Sequence, residues 1–413
     1  MISMYFRNVA RYIMAVVFIF SGFVKAIDPL GSAYKFSDYF EAFGMTFLAP
    51  ITLLLAILLS NAELLIGLCL FFRIRMKITS WALTIFMLFF TILTLLIALT
   101  DPVSDCGCFG DALILTNWQT FFKNLFFLVP TVVIFHQRNN FEAVFKIGIE
   151  WAFVGVLAVF GVLLSVYNLR NLPLLDFRPY RIGSNITEGM QVPEGKPVDE
   201  YMAVVVYEKE GIQKEFTLDA PEKPWNDSSW TWVETRNVLV KEGYKPPIHD
   251  FSLTSRDGDD ITASVLGDPG YTWLIVACDL DKTDKEGLKE VNEFILKALG
   301  NGYRAYGMTA SLSGIIDQTE KELDLDFEFY TTDDITLKTI VRANPGLILL
   351  KDGTVIGKWH FRNIPGDDFF STQGMAYGFD LLLKKRNHAL VAALIAMLCL
   401  AGLITFIFSL RKK

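Results

Sequence analysis

The chain has 413 residues, 52% of them hydrophobic and 14% aromatic, with a mean hydropathy of +0.36, which excludes both disorder and a set of purely water-soluble globules. Part of the chain therefore belongs in lipid. Residues 170–386 carry 25 basic and 36 acidic side chains, a net charge of −11 against +4 for the rest, so this segment reads as a soluble domain whose partner is neither nucleic acid nor an anionic membrane surface.

A helix crosses the hydrocarbon core with about 20 mostly apolar residues. Six stretches qualify: 8–27, 47–72, 78–99, 118–136, 150–167 and 388–409. Arg7 and Arg11 ahead of the first imitate a signal peptide, but Lys25, Asp28 and Pro29 follow with no convincing cleavage site. Cations in short loops set orientation. Arg7 and Arg11, then Arg73, Arg75 and Lys77, then Arg138 and Lys146, and finally Arg411, Lys412 and Lys413 mark the cytoplasmic side. Loop 101–117 has no Lys or Arg and carries Asp101, Asp105 and Asp111, which places it outside with the soluble domain. Lys25, Lys35, Lys384, Lys385 and Arg386 dissent from this N-in, C-in topology.

That outer loop holds the sharpest local signal, Asp105-Cys106-Gly107-Cys108-Phe109-Gly110. Two cysteines one residue apart close a very small ring when oxidised, and strained, exposed disulfides are the exchangeable ones. The pair reads either as an exchange site, trading electrons between a soluble thiol protein and a quinone in the bilayer, or as a permanent staple. With four histidines in the chain and His136 on the opposite side, no metal site is expected. Cys69 and Cys399 lie in apolar spans and read as packing.

Glu63 stands near the middle of the second span, and an ionisable residue there faces a bundle interior or a cavity. Arg11 and Lys25, near opposite ends of the first span, are its candidate counter-charges in an intramembrane polar pocket, with Ser21 beside them. The alternative is a packing polar group satisfied by backbone. The first span, from Arg11-Tyr12 through Ser21-Gly22-Phe23-Val24-Lys25 to Asp28-Pro29, resembles the opening helix of the DoxX and MauE group of membrane proteins. Glu63-Leu64-Leu65-Ile66-Gly67-Leu68 resembles that group's second helix, although one usual glycine is here apolar, and the Cys-Gly-Cys loop is similar to the MauE branch. The resemblance covers about residues 5–137 and implies a four-helix, redox-associated membrane module. MauE is linked to disulfide formation in a periplasmic partner, and DoxX to quinone-coupled oxidation.

After the fifth span the chain passes Pro173, Pro179 and Pro197 into a small β region, residues 201–207, 214–218 and around Trp230 and Trp232. From 246 onward, strand 272–277, helix 284–299, strand 303–308, helix 313–323, strand 327–330, helix 334–342 and a hairpin 347–360 about Asp352-Gly353 follow. This order describes a thioredoxin-like sandwich. Asp250-Phe251-Ser252-Leu253, Asp257-Gly258, Asn344-Pro345-Gly346 and Lys351-Asp352-Gly353 resemble the peroxiredoxin-like and thiol-disulfide branch of that superfamily, with Pro345 as its cis-proline. The family's Cys-x-x-Cys is missing: after the first strand stands a lone Cys278, read as a buried strand thiol. The domain is therefore expected to bind a partner, near Asn344 and Pro345, rather than to catalyse.

Two functions compete. One is a bacterial inner-membrane component of a thiol-disulfide relay acting on a periplasmic protein through Cys106 and Cys108, with quinone as a candidate cofactor. The other is a non-enzymatic membrane scaffold whose degenerate thioredoxin-like domain holds an envelope protein. In both, four spans are expected to form the bundle and the last two to tether the soluble domain from its two ends.

Overall fold

The computed structural model describes residues 4–370 apart from 104, 198–199, 219–221 and 242. The expected sixth span, 388–409, lies outside the described residues. Helices α1 (Met4–Ile27), α2 (Pro29–Ala42), α3 (Thr52–Phe72), α4 (Met76–Thr100), α5 (Asn117–His136) and α6 (Ile147–Arg170) build the N-terminal part. All but α2 are long and apolar enough to cross a membrane. Their outer surfaces are apolar: Ile85, Phe89, Ile92, Leu96 and Leu99 of α4 and Phe122, Phe126 and Val129 of α5 are exposed. Such a surface suits hydrocarbon rather than water.

Small residues set the packing of this bundle. A methyl group at Gly22 would collide with the backbone of Leu64, and one at Gly67 with that of Ile19, so α1 and α3 touch main chain to main chain. α6 is part of the bundle and not merely a tether. Phe153 and Leu157 pack with Leu64, Leu68 and Cys69, and Asn61 donates to the Ala158 carbonyl at 3.1 Å. The stretch expected as the first outer loop is largely helical. Asp28 caps α2 by accepting from Gly31 N at 2.9 Å, and Pro29 fills the first turn, where its missing N–H costs nothing.

The remainder comprises α7 (Ile186–Met190), β1 (Glu200–Lys209), β2 (Ile212–Thr217), β3 (Thr231–Lys241), α8 (Thr262–Leu266), β4 (Tyr271–Val276), α9 (Lys285–Gly300), β5 (Arg304–Thr309), α10 (Ser313–Leu323), β6 (Phe329–Thr331), α11 (Asp334–Ile340), β7 (Gly346–Lys351) and β8 (Thr354–His360). β1 to β3 form an antiparallel sheet in the order β2-β1-β3. The larger sheet has the order β6-β5-β4-β7-β8, with β4, β5 and β6 parallel and β7 and β8 antiparallel. Side-chain alternation sends Trp273, Ile275, Leu347 and Leu349 to the face covered by Leu288, Val291, Phe294 and Ile295 of α9. Leu274, Val276, Ile348 and Leu350 face Leu337 and Ile340 of α11 together with Phe251 and Ile186. The peptide Asn344-Pro345 before β7 is cis. This is a thioredoxin-like fold.

The segment leaving α6 is fastened to the sandwich by one buried carboxylate. Asp176 lies 2.7 Å from Lys358 Nζ of β8 and 2.7 Å from Arg178 Nε. Burial pushes its carboxyl up, but Lys358 and Arg178 outweigh burial and hold it below the usual carboxylate range.

Candidate functional site

The Cys-Gly-Cys turn sits where α4 hands over to α5, at the end of the bundle that faces the thioredoxin-like domain. Gly107 takes φ +64°, a left-handed conformation that side chains disfavour, and a Cβ there would press on the Lys35 stem. Asp105 braces the turn. Its carboxylate accepts from Gly107 N at 2.9 Å and from Lys35 Nζ at 2.7 Å. The Tyr39 hydroxyl of α2 donates to the Cys106 carbonyl at 2.8 Å. The backbone is thus held from three sides, and the two Sγ atoms stand 2.8 Å apart as free thiols.

Below the turn lies a buried polar cluster. Lys25 Nζ is 2.7 Å from Glu63 Oε1, and the Ser21 hydroxyl is 2.7 Å from Glu63 Oε2 and 2.8 Å from the Cys108 carbonyl. Lys123 of α5 places its Nζ 4.3 Å from the centre of the Phe109 ring. The hydrogen bond from the Cys106 thiol pulls Cys108 down to about 6 against the opposing effect of burial, and Lys123 and Lys25 add to the pull. The same hydrogen bond, with burial, pushes Cys106 up. The pair is asymmetric, with Cys108 the more acidic of the two.

Two cavities meet at the thiols. The larger, about 530 Å³, runs between α2, α3 and α4, is lined by Phe36, Phe40, Leu59, Phe86 and Phe90, and ends on Lys25, Tyr39 and Cys106-Gly107-Cys108. The smaller, about 50 Å³, lies between Cys108, Glu63, Lys123 and Asn124.

Of the residues singled out in the sequence, the structure brings Glu63 and Lys25 to Cys106 and Cys108 and leaves Arg11 elsewhere. Arg11 does not share Glu63's pocket: its Nη1 donates to the Leu70 and Phe71 carbonyls at 2.5 and 2.6 Å, at the opposite end of α3. The reason is that the last carbonyls of a helix lack intrahelical donors and attract a cation. Asn344 is used within its own domain, donating to the Asp279 carbonyl at 3.1 Å and accepting from Thr283 Oγ1 at 2.9 Å. Pro345 follows it across the cis peptide. Cys278 is buried, and burial pushes its thiol up to about 12.

Sequence reasoning missed Tyr39, Lys123 and Arg342. For Lys123 a signal existed, since an ionisable side chain in a span is itself a pointer. Lys35 was visible only as a cation that disagreed with the topology. Arg342, two residues before Asn344, had no local signal. Its Nε lies 3.0 Å from both Asp28 oxygens and its Nη2 2.9 Å from Asp111 Oδ2. Lys338 and Arg342 stand 5.2 and 5.4 Å from the Tyr34 ring of α2. The face of the sandwich beside Arg342 is therefore seated on the helical module.

Residues 3–137, which contain the thiol turn, Glu63 and Lys25, match the family model of methylamine utilisation protein MauE. The chain carries an N-terminal MauE domain. Residues 201–242, the β1 to β3 sheet, match a domain of unknown function, DUF8463. No curated protein matches the chain with significance. Among solved structures, a candidate protein disulfide isomerase from Bacteroides thetaiotaomicron is similar, at 13% identity over 33% of this chain and 84% of its own, with a TM-score of 0.24. The thioredoxin domain of a thiol-disulfide oxidoreductase from Bacteroides vulgatus is similar at 14% identity over 29% of this chain and 87% of its own, with a TM-score of 0.24. Strand order carries the fold assignment beside the MauE domain.

Proposed function

We propose that the chain is a thiol-disulfide exchange component of a bacterial inner membrane, which works on a periplasmic protein through Cys106 and Cys108 and is coupled to a membrane quinone. The observation that carries this reading is the contact of the two cysteine sulfurs at the mouth of an aromatic-lined cavity, and the lowering of Cys108 agrees with it. A permanent staple requires no cavity and no lowered thiol.

In the oxidative direction a partner thiolate attacks the Cys106-Cys108 disulfide, a mixed disulfide forms, and the partner's second thiol resolves it. The partner leaves oxidised and the pair is left as two thiols, so two electrons and two protons have been taken up. A quinone bound in the cavity would accept those two electrons and two protons and become quinol, which restores the disulfide. The reverse direction balances in the same way. Lys25, Ser32, Lys35 and Tyr39 are polar residues lining the cavity beside the thiols, and the phenylalanines supply an apolar bed for a flat ring. Ser21 links the Glu63 carboxylate to the Cys108 carbonyl. The thioredoxin-like domain, with its single buried cysteine, serves to hold the partner over the loop and not to exchange with it.

The test is the redox state of the pair in intact cells, read by membrane-impermeant alkylation before and after reduction. A mixed population that turns reduced when respiration is blocked is expected. Complementation of a deletion strain by both Cys106→Ser and Cys108→Ser would sink the proposal.

A further inference from the structure

At the end of the bundle opposite the thiols, the turn from α3 to α4 is built in an unusual way. Arg73 and Arg75 both take left-handed conformations, φ +56° and +45°, around a fully buried Ile74. Arginine gains nothing intrinsically from that region, and residues held there mark positions where the surroundings dictate the backbone. The effect is to turn both guanidinium groups to one side, where they line a cavity of about 330 Å³ together with Lys77 and Arg138.

The charges of this cavity do not balance. Four cations face two carboxylates, Glu142 and Glu150. Glu150 is used by Arg75 at 3.7 Å, and Arg138 donates to the Phe135 carbonyl at 2.8 Å. Arg75 Nε is buried without a hydrogen-bond partner, and among the described residues the side chains of Arg73 and Lys77 have neither a hydrogen bond nor an ion pair. A buried guanidinium N–H with no acceptor is costly, so it calls for an acceptor from outside the chain. The cavity's rim is amphipathic: exposed Ile78 and Trp81 stand beside the cations, and the Trp151 ring lies 5.4 Å from the Arg75 guanidinium. Aromatic and apolar rims of this kind sit at the level of lipid headgroups.

We infer that this cavity is a phosphate site filled from the bilayer, and that its ligand is the headgroup of an anionic phospholipid in the leaflet opposite the thiol turn. Arg73 and Arg75 supply planar donors for the phosphate oxygens, Lys77 supplies charge, and the acyl chains run down the apolar outer face of α4. The site is independent of the exchange chemistry and stands or falls without it.

The experiment uses the full chain in a mild detergent and reads lipid retention by native mass spectrometry, with thermal unfolding alongside. Dioleoylphosphatidylglycerol is expected to be retained over dioleoylphosphatidylcholine, and Arg73→Gln with Lys77→Gln to weaken retention by about fivefold for each charge removed. Arg73→Lys, which keeps the charge, is expected to retain the lipid and so separates lost binding from lost folding. Equal retention of the two lipids, or retention unchanged in the double variant, would overturn the site. Stabilisation by glycerol phosphate as strong as that by the lipid would overturn the bilayer as its source.

Discussion

Arg342 Nε stands 3.0 Å from both carboxylate oxygens of Asp28, joining the loop before the cis-proline of the sandwich to the cap of α2 in the MauE domain. Burial pushes the Asp28 carboxyl up, but Arg342 and Arg178 outweigh burial and hold it below the usual carboxylate range. The contact is a buried ion pair, and Asp111 shares the same guanidinium. Its position means that a partner reaching Cys106 and Cys108 must approach beside a domain already seated over the same end of the bundle.

Removing one member of such a pair leaves a buried charge uncompensated, at a cost of about 3–5 kcal/mol. Arg342→Gln is therefore expected to unseat the sandwich without unfolding it. Limited proteolysis after residue 170 and alkylation of the Cys pair should both accelerate. Unchanged rates in Arg342→Gln would show that the seating does not depend on this pair.

The lowered thiol makes a prediction about pH. A thiol reacts as its thiolate, which is present above its pKa, so the alkylation rate of Cys108 should rise through about pH 6 and level off above it. Cys106→Ala removes the main cause, the hydrogen bond from the neighbouring side chain, and should move the midpoint towards the ordinary value of about 8.5. Lys123→Met should move it in the same direction by less. A midpoint near 8.5 in the unaltered protein would contradict the asymmetry of the pair.

Glu63 and Lys25 make a sharper test of the buried cluster. Glu63→Gln leaves Lys25 nearly inaccessible to water and without its carboxylate, and about 3–5 kcal/mol of destabilisation follows. Glu63→Gln is also expected to lower exchange activity, and changing both, Lys25→Met with Glu63→Leu, should recover most of the thermal stability in detergent but not that activity. Recovery of activity along with stability would reduce the cluster to packing.

The cavity can be tested by filling it. Ala62 lines it, and Ala62→Phe puts a ring into open space, so its stability cost should be at or below the 1–3 kcal/mol usual for overpacking. Quinone-dependent reoxidation of the pair should fall by at least about tenfold, which corresponds to 1.4 kcal/mol of barrier or binding. Reaction of the thiols with a small alkylating reagent should be unchanged. Equal losses in both assays would point to a disturbed loop.

The first five spans, the thiol turn and the thioredoxin-like order of strands and helices are legible along the chain, because each rests on neighbours in sequence. Hydrocarbon thickness demands runs of a certain length, Gly107 marks a turn wherever it falls, and Asp352-Gly353 closes a hairpin between its own flanking strands. Pairings across the fold have no such local trace. Arg11 and Lys25 flank the same span and were equally eligible for Glu63, and only the way α1 lies against α3 through Gly22 and Gly67 gives the carboxylate to Lys25. Arg342 is 314 residues from Asp28, so no pattern within a helix turn or a hairpin could have joined them. The 530 Å³ cavity is likewise the space left between three helices. Composition decides that a chain enters lipid and local periodicity decides its elements, but where charge and empty space meet the thiols is decided by packing, which depends on all the elements at once.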